Sequence, residues 1–444
     1  MSKHLSSLLA LMVLQFLLTS CAESALNEVP QIKDSWKKYS DLLTKSADIS
    51  LSSGVTSSDV EDYLRYRLNI DLQNLESITK YDLDDTNYLF IAQLHNGNWY
   101  LFSGDYSTAP LIASGEDGFD LTDEPNKHFL GWMKTIANKM SENRNLSSEE
   151  TEFNKNEWIR TKRIAAIKQK NSFHRNGDDP DTSEVIIEID SEWLLDEYYP
   201  PLTETQWESG YPFNLALPLE PPYRDHDRCL AGCAVTAIAQ LVYYTHFAFG
   251  YPNDTFEAAS CSQYYNQPGT PPYTYTLTNP STTCWNLMGL TVVTNYNLSY
   301  APALYAYIAQ LSNTDYRDRE GITSASSICP TLSSLSLTGA SQKSFSRDSV
   351  INEIQEDRPV LCIGASNDTT TTGHMFIIDG YSWQIIRETE TISDPQGHIL
   401  EVNVITHNTL QWHINSGNPG PYVFWIYSSD YYYPFNRKIY IGWS

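Results

Sequence analysis

Two short motifs, far apart in the chain, most restrict the folds open to it. A buried helix is predicted to begin close to Cys233, because apolar residues recur behind it at helical spacing, namely Val235, Ile238, Ala239 and Val242. Downstream, residues 358–365 are predicted to form a buried strand, 367–372 a polar loop, and 373–380 the returning strand. Any fold for this chain must therefore accommodate a buried helix and a distant β-hairpin.

The first residues of these two elements suggest covalent chemistry. A thiol at the amino terminus of a helix lies near unsatisfied N–H groups and the positive end of the helix dipole, which both favour the thiolate. His374 stands at the mouth of the hairpin, where an imidazole would take the thiol proton. The alternative interpretation of Cys233 is a buried core cysteine, the commoner outcome for a cysteine in a helix.

The remaining histidines are weaker candidates for the general base. His246 is predicted to lie at a helix end, and His398 and His407 to be surface polar groups in or beside a hairpin. His413 lies two residues before Asn415, so strand alternation places the two on the same side. His374 is preferred to all four.

The length and composition predict two domains. A chain of 444 residues exceeds what one hydrophobic core usually organises. Residues 22–140 form a first block, with a capping box at Ser58 and Glu61 and a hairpin of residues 88–91 and 99–102. Residues 141–195 are a polar and basic connector, a solvated helix plus a loop, open to proteolysis. The aromatic-rich residues 196–444 form the second domain.

The amino terminus predicts export. Residues 8–18 are an apolar run too short to cross a bilayer, and small residues precede Cys21, as in a bacterial lipoprotein signal covering residues 1–21. An ordinary secretory signal with an incidental cysteine is the alternative. Membrane attachment is expected through a lipid on Cys21 alone. The formal net charge of −25 makes nucleic acid an unsuitable partner.

The seven cysteines predict no metal site. No pair has CxxC spacing and no Cys/His cluster has zinc spacing, so no metal or other cofactor is expected. A disulfide between Cys261 and Cys284 is conceivable, but pairing does not follow from sequence. With Cys21 lipidated and Cys233 a nucleophile, five cysteines remain, so at least one other thiol should stay unpaired.

Together the motifs resemble the streptopain family of papain-like cysteine peptidases (the C10 type) with its Spi-type amino-terminal prodomain. The motifs that carry the resemblance are residues 207–214, 232–233, 284–288, 358–360, 373–380 and 412–415. The separation of the candidate nucleophile and base, 374 − 233 = 141 residues, is within the ~130–150 of papain-like enzymes.

The resemblance implies an α+β fold: a small α+β prodomain, then a papain-like domain whose nucleophile helix packs on an antiparallel sheet. It implies an exported cysteine endopeptidase, inhibited by its own prodomain until the connector is cut and acting on protein or peptide substrates. Cys233 would be the nucleophile, His374 the base, and Asn415 the residue that orients the imidazole. For residues 22–140 alone, an unrelated α+β binding module fits almost as well.

Two departures from the family pattern bear on activity. Ser209 stands where the family has a glutamine whose amide helps to bind the oxyanion. After Asn415 the family continues Trp-Gly-Trp, whereas this chain has Ser416, Gly417 and Asn418, so His374 is expected to be more exposed and less well oriented. The hairpin between Tyr381 and Trp412 is also longer than usual, with its tip at residues 394–397.

These departures leave two rivals to an active peptidase. One is a catalytically impaired relative that binds peptides or proteins at the cell surface, although a dead enzyme has no need to keep both Cys233 and His374. The other is a surface binding lipoprotein of unrelated ancestry. The aromatic run 431–435 is predicted to be packing, with a substrate-gripping patch as its alternative.

Overall fold

The computed structural model describes residues 54–116, 118–119, 127–174, 185–218, 228–250, 260–263, 273–276, 285, 288, 300–316, 320–365, 373–417, 423–427 and 432–444. The predicted signal and lipidation site at Cys21, the polar loop 367–372 and Cys284 of the conceivable disulfide all lie outside these residues.

The helices and strands alternate irregularly along the chain. The helices are α1 (Ser57–Tyr66), α2 (Lys127–Asn145), α3 (Glu149–His174), α4 (Cys233–Phe249), α5 (Tyr300–Leu311), α6 (Ala325–Ser334) and α7 (Arg347–Gln355). The strands are β1 (Leu75–Asp82), β2 (Tyr88–Leu94), β3 (Trp99–Ser103), β4 (Leu111–Gly115), β5 (Ile186–Tyr199), β6 (Ser260–Gln263), β7 (Tyr273–Thr276), β8 (Ser341–Ser344), β9 (Val360–Ala365), β10 (His374–Ser393), β11 (Ile399–Asn415), β12 (Val423–Ile426) and β13 (Phe435–Ile441). None of the helices in the described ranges combines the length and apolar character needed to span a bilayer.

One large sheet includes strands from both ends of the chain. Its order is β1-β2-β3-β4-β12-β11-β10-β9-β13-β8, with β5 beside β10. Strand β4 of the first block pairs antiparallel with β12, through Ala113 opposite Ile426 and Ser114 opposite Trp425. The predicted hairpins β2–β3 and β9–β10 are both present and antiparallel. The mixed helix and antiparallel-sheet architecture confirms the α+β class.

Strand β10 separates two hydrophobic cores. Met375 and Ile377 pack in the core that contains α4, α5 and α6, whereas Phe376 and Ile378 pack in the core that contains α2 and α7. This alternation follows from the two-residue period of a strand. The near-continuous apolar sequence that opens β10 is therefore explained by burial on both faces of the sheet.

By their contacts the residues form two compact units. Among the described residues, the smaller unit contains 162–174, 185–190 and 389–404, with a core of Ile167, Val185, Ile392 and Leu400 and a bidentate ion pair from Arg163 to Glu401. The larger unit contains the rest, including Cys233 and His374. The boundaries at residues 140 and 195 were drawn from composition and remain predictions.

Helix α1 begins two residues earlier than its capping prediction. Thr56, not Ser58, is the N-cap: its hydroxyl accepts the Asp59 N–H at 3.3 Å, and the Asp59 carboxylate accepts the Thr56 N–H at 2.8 Å. The Ser58 and Glu61 assignment was wrong because a Thr-x-x-Asp box lies immediately upstream and its first residue has the extended conformation of an N-cap.

The connector is more ordered than its polar composition suggests. Helix α3 occupies 26 residues of it, which confirms a helix. The prediction that this helix is solvated was wrong, because Trp158 and Ile164 are fully buried. Residues 175–184, the predicted loop, lie outside the described part of the chain.

A buried ionic cluster joins the first block to the long β10–β11 hairpin. The Glu388 carboxylate accepts hydrogen bonds from Arg160 at 2.7 Å and Arg67 at 3.2 Å, and lies 2.9 Å from the His407 imidazole. Arg67 also donates to Glu157 at 3.0 Å. The prediction that His407 is a surface group was wrong, because α3 covers this part of the hairpin through Phe153, Glu157 and Arg160 and leaves the side chain of His407 14% exposed.

This cluster should make the stability of the precursor depend on pH. Burial raises the pKa of Glu388, but the hydrogen bond from His407 and the charges of Arg67 and Arg160 outweigh it, so the pKa lies well below the usual range. A carboxyl whose pKa is lowered by folding stabilises the folded state above its unfolded pKa of ~4.3 and loses that contribution as the pH falls further.

Glu388→Gln should reduce the free energy of unfolding at pH 7 by about 3 kcal/mol, because two arginines lose a buried carboxylate. The stability of the variant should also vary less with pH below ~4. Urea unfolding of the full chain, at pH 7 and again below pH ~4, measures both changes in the free energy of unfolding. Glu152→Gln, which breaks the exposed pair with Lys155 on the same helix α3, is the control and should change little. Equal effects of the two substitutions would contradict a stabilising cluster.

Candidate active site

Cys233 is the first residue of helix α4, as predicted, and its N-cap is Gly232. Gly232 has φ of +84°, and a Cβ placed there would lie 1.9 Å from the Gly321 carbonyl oxygen, so only glycine fits. Cys233 is partly exposed, whereas Ala234 and Val235 behind it are buried. The structure therefore presents the thiol at the positive end of a buried helix, where the thiolate is favoured.

His374 is the first residue of β10 and pairs with Gly364 of β9. Its side chain is not exposed as expected from the loss of Trp-Gly-Trp: the residue is 1% exposed. The centroid of its ring lies 5.0 Å from that of Tyr433, 5.9 Å from Phe376 and 6.1 Å from Tyr432. The expectation was wrong because aromatic rings from another part of the chain enclose the imidazole.

Tyr432 and Tyr433, called the tyrosine pair below, link the two candidate catalytic residues. Burial raises the pKa of Tyr433 above its ordinary value, and the nearby charges of Cys233 and Glu320 raise it further. Burial likewise raises the pKa of Tyr432, with contributions from Tyr433 and Cys233. Both phenols therefore stay neutral, and the same pair lies beside the His374 ring and close enough to Cys233 for their charges to interact.

Helix α2 of the first block packs on the tyrosine pair. A Cβ at Gly131 would lie 2.7 Å from the Tyr433 hydroxyl, and the Trp132 ring centroid lies 5.5 Å from that of Tyr432. The aromatic run 431–435 is thus packing where it is described, as predicted. The sequence did not predict that these tyrosines pack around His374. Their density, in a chain that lacks the two tryptophans of the family, was the available indication.

Ser209 lies beside the segment that leads into the nucleophile helix. Its carbonyl oxygen accepts the N–H of Ala231 at 2.8 Å, two residues before Cys233. Trp207 is fully buried, with its ring centroid 4.9 Å from that of Tyr243 on α4. Backbone pairing and the buried indole therefore place residue 209 beside the segment that precedes the candidate nucleophile Cys233, while its function at the oxyanion remains a prediction.

Asn415 ends β11 in a buried polar environment. Its amide donates to the Thr205 carbonyl at 2.7 Å and to the Thr203 hydroxyl at 3.2 Å. His413 is on the same side, as predicted, and its Nδ1 lies 2.6 Å from the Asp379 carboxylate. These contacts explain how Asn415 is held, and its proposed orientation of His374 stays a prediction.

The other histidines and thiols described are not alternatives at this site. His246 lies in the last turn of α4, as predicted, and stacks on Trp285 at 4.3 Å. His398, at the hairpin tip, has a side chain 75% exposed, also as predicted. Cys329 and Cys362 are free thiols, which confirms that a further thiol is unpaired. Burial raises the pKa of Cys362 to about 12, so it stays protonated and unreactive.

The sequence and the fold were compared with those of known proteins. Residues 207–421 match the model of the Peptidase C10 family. A solved structure of a mutant prointerpain A fragment from Prevotella intermedia is similar, with 17% identity, a TM-score of 0.50, and coverage of 82% of this chain and 98% of that chain. Active wild-type interpain A cysteine protease from the same organism matches at 15% identity, a TM-score of 0.36, and coverage of 55% and 94%. No curated protein matches the sequence.

Proposed function

Residues 207–421 belong to the peptidase C10 family, and from this premise we propose that the chain is an exported cysteine endopeptidase made as an inhibited precursor. Cys233 is the nucleophile and His374 the general base. The observation that supports this proposal is the position of Tyr433, whose ring centroid lies 5.0 Å from that of His374 and which is close enough to Cys233 for their charges to interact. It supports a partnership of two residues that are 374 − 233 = 141 positions apart in the chain.

The proposed reaction is acyl transfer. His374 takes the proton of Cys233, and the thiolate attacks the scissile carbonyl to form a tetrahedral oxyanion. The imidazolium returns the proton to the leaving amine, and water then hydrolyses the thioester with His374 again as base. The backbone N–H of Cys233, at the amino end of α4, is suited to bind the oxyanion. A second donor is expected beside residue 209.

Burial of the imidazole supports an inhibited precursor. At 1% exposure His374 is inaccessible to a peptide, and the tyrosine pair that encloses it is itself covered by α2. The first block, residues 22–140, is proposed to act as the inhibitory prodomain by holding this arrangement. Cleavage in the connector would then permit the tyrosine pair to move away from His374.

Export and lipid attachment complete the proposal. The apolar run 8–18 and the small residues before Cys21 support a lipoprotein signal, which would attach the precursor to the cell envelope by its amino terminus. Mass spectrometry of the mature amino terminus, purified from the membrane fraction of the producing cell, tests this. An unmodified terminus at any residue other than Cys21 would contradict it.

A peptide- or protein-binding surface lipoprotein is the second candidate. Ser209 favours it, because the family glutamine that binds the oxyanion is absent. The two candidates differ in whether Cys233 becomes reactive when the first block is released.

Cleavage of the connector should therefore increase the reactivity of Cys233. A recognition sequence for a specific protease is placed within residues 175–184 of the full chain, and labelling by a thiol-reactive peptidomimetic is timed before and after the cut. If the competent form rises from about 1% to most of the population, labelling accelerates ~100-fold. Adduct mapping identifies the cysteine, and the Cys233→Ala chain, cut in the same way, is the control. Equal rates before and after cleavage would remove the precursor claim, and no labelling in either state would favour the binding protein.

A further inference from the structure

We infer that residues 203–205 are held by Asp379, Asn415 and Gln240 in a buried clamp that positions Ser209 beside Cys233. The inference rests on the proposed peptidase function and deepens it by adding positioning residues on the oxyanion side of the site. The group formed by Thr203, Thr205, Asp379, Asn415 and Gln240 is called the 203–205 clamp.

Asp379 anchors the first residue of the clamp from strand β10. Its carboxylate accepts the Thr203 N–H at 2.9 Å and the Thr203 hydroxyl, and its carbonyl accepts the Leu202 N–H at 3.0 Å. The other carboxylate oxygen lies 2.6 Å from Nδ1 of His413. Asp379 is fully buried, so these partners satisfy a carboxylate that would otherwise be strongly unfavourable inside the protein.

Asn415 and Gln240 anchor the last residue of the clamp from two further elements. Asn415 of β11 donates to the Thr205 carbonyl at 2.7 Å, and the Thr205 hydroxyl donates to Gln240 of α4 at 2.9 Å. Asn415 also donates to the Thr203 hydroxyl at 3.2 Å. Asn415 and Gln240 are fully buried and Thr205 is 1% exposed. Three separate elements thus hold Thr203 and Thr205.

The clamp is placed to determine the position of Ser209. The chain passes from Thr205 to the fully buried Trp207, and two residues later Ser209 accepts the Ala231 N–H. The nucleophile helix α4 supplies Gln240 at one end of this path and Cys233 at the other. The geometry of an oxyanion donor must hold to a fraction of an ångström, and a misplacement of ~1 Å costs ~10²-fold in rate.

The same contacts give Asn415 a place in the clamp: its amide hydrogens are donated to Thr203 and Thr205, and Thr205 connects it to α4. Its Oδ1 has no hydrogen-bond partner among the described residues and stays available to accept from an imidazole. A clamp and an orienting residue predict different consequences when Asn415 is changed.

The test uses the full chain with the protease recognition sequence in the connector. Thr203→Val removes the hydroxyl that joins Asp379 to Asn415 while it keeps the shape of the side chain and the Thr203 N–H. Asn415→Leu is the stronger variant. Thr331→Val, which removes a buried hydroxyl bonded to Ser327 within helix α6, is the matched control.

The first measurement is amide hydrogen exchange of peptides covering residues 203–210, which needs no peptidase activity. Thr203→Val should accelerate exchange there ~10-fold, as expected for the loss of a buried hydrogen bond, and the control should not. Unchanged exchange in both Thr203→Val and Asn415→Leu would overturn the clamp. Exchange can be measured even if the wild-type chain never hydrolyses a peptide, so it separates failure of the clamp from failure of the proposed function.

The second measurement compares turnover with alkylation of Cys233 after cleavage of the connector. In the Ser209→Gln chain, which carries an oxyanion donor at this position, a clamp variant should lose kcat by ~10²-fold while the pH profile of alkylation by iodoacetamide stays unchanged, because alkylation needs a thiolate but no oxyanion donor. If Asn415→Leu shifts that profile to higher pH, Asn415 also acts on the imidazole, whereas an unchanged kcat in Thr203→Val would overturn the clamp. Rescue of turnover by Asn415→Gln is not expected, since the longer side chain cannot keep both donors in place.

Discussion

Replacing His374 with alanine is expected to lower peptide turnover of the cleaved enzyme by on the order of 10⁴-fold or more. The imidazole has two tasks, deprotonating Cys233 and protonating the leaving amine, and its ring is the one that the tyrosine pair encloses. Removing it leaves only binding and the backbone donor at α4 to assist the reaction. Turnover of a fluorogenic peptide by the two cleaved proteins measures the loss.

The pH dependence of alkylation shows whether the loss arises from the thiolate. Without His374 the Cys233 thiol loses the partner that takes its proton, so a smaller fraction should be thiolate at pH 7. Alkylation at pH 7 should fall accordingly and recover above pH 9. His398→Ala, at the exposed hairpin tip, is the control and should change neither measurement. If His413→Ala abolished turnover while His374→Ala did not, the base would be misassigned.

Introducing glutamine at Ser209 is expected to raise turnover by up to ~10²-fold. Losing one preorganised oxyanion donor typically costs ~10²–10³ in rate, so restoring it can regain a comparable factor. A serine hydroxyl is a donor, but its side chain is shorter than that of glutamine and falls short of the oxyanion unless the backbone shifts or a water bridges the gap. The backbone contact of Ser209 with Ala231, two residues before Cys233, supports this expectation.

Alkylation again separates this effect from a change in the nucleophile. Ser209→Gln should leave iodoacetamide labelling of Cys233 nearly unchanged, because that reaction builds no oxyanion. Ser209→Ala controls for loss of the hydroxyl and should not raise turnover. If Ser209→Gln folds normally and leaves turnover unchanged or lower, another group completes the oxyanion site or residue 209 does not occupy it.

The parts of this site that sequence could predict are those set by local pattern. Helix α4 and hairpin β9–β10 follow from apolar periodicity, and Cys233 and His374 lie at the element starts that the pattern indicates. The position of the long hairpin tip was also predictable, since Asp394 and Gly397 are strong turn residues.

The surroundings of these residues could not be predicted, because they depend on contacts between distant segments. The burial of His374 depends on Tyr432 and Tyr433 and on the cover that α2 provides. The burial of His407 depends on Phe153 and Arg160 of α3. The hydrophobic periodicity of one segment does not indicate which other segment will pack on it. Two polar residues that pair across the fold likewise share no sequence motif from which their pairing could be predicted.

The pairing of β4 with β12 implies that a cut in the connector, although it lets the tyrosine pair move, does not by itself detach the peptidase from the amino-terminal fragment. The two fragments would still share one sheet through backbone hydrogen bonds, at Ala113 and Ser114, and would separate only as a dissociating complex. A lipid on Cys21 would belong to the amino-terminal fragment. The cleaved peptidase would then be retained at the membrane by an intermolecular strand pair. The surface density of anchored fragments would control its release, because each peptidase that dissociates can bind another anchored inhibitory fragment.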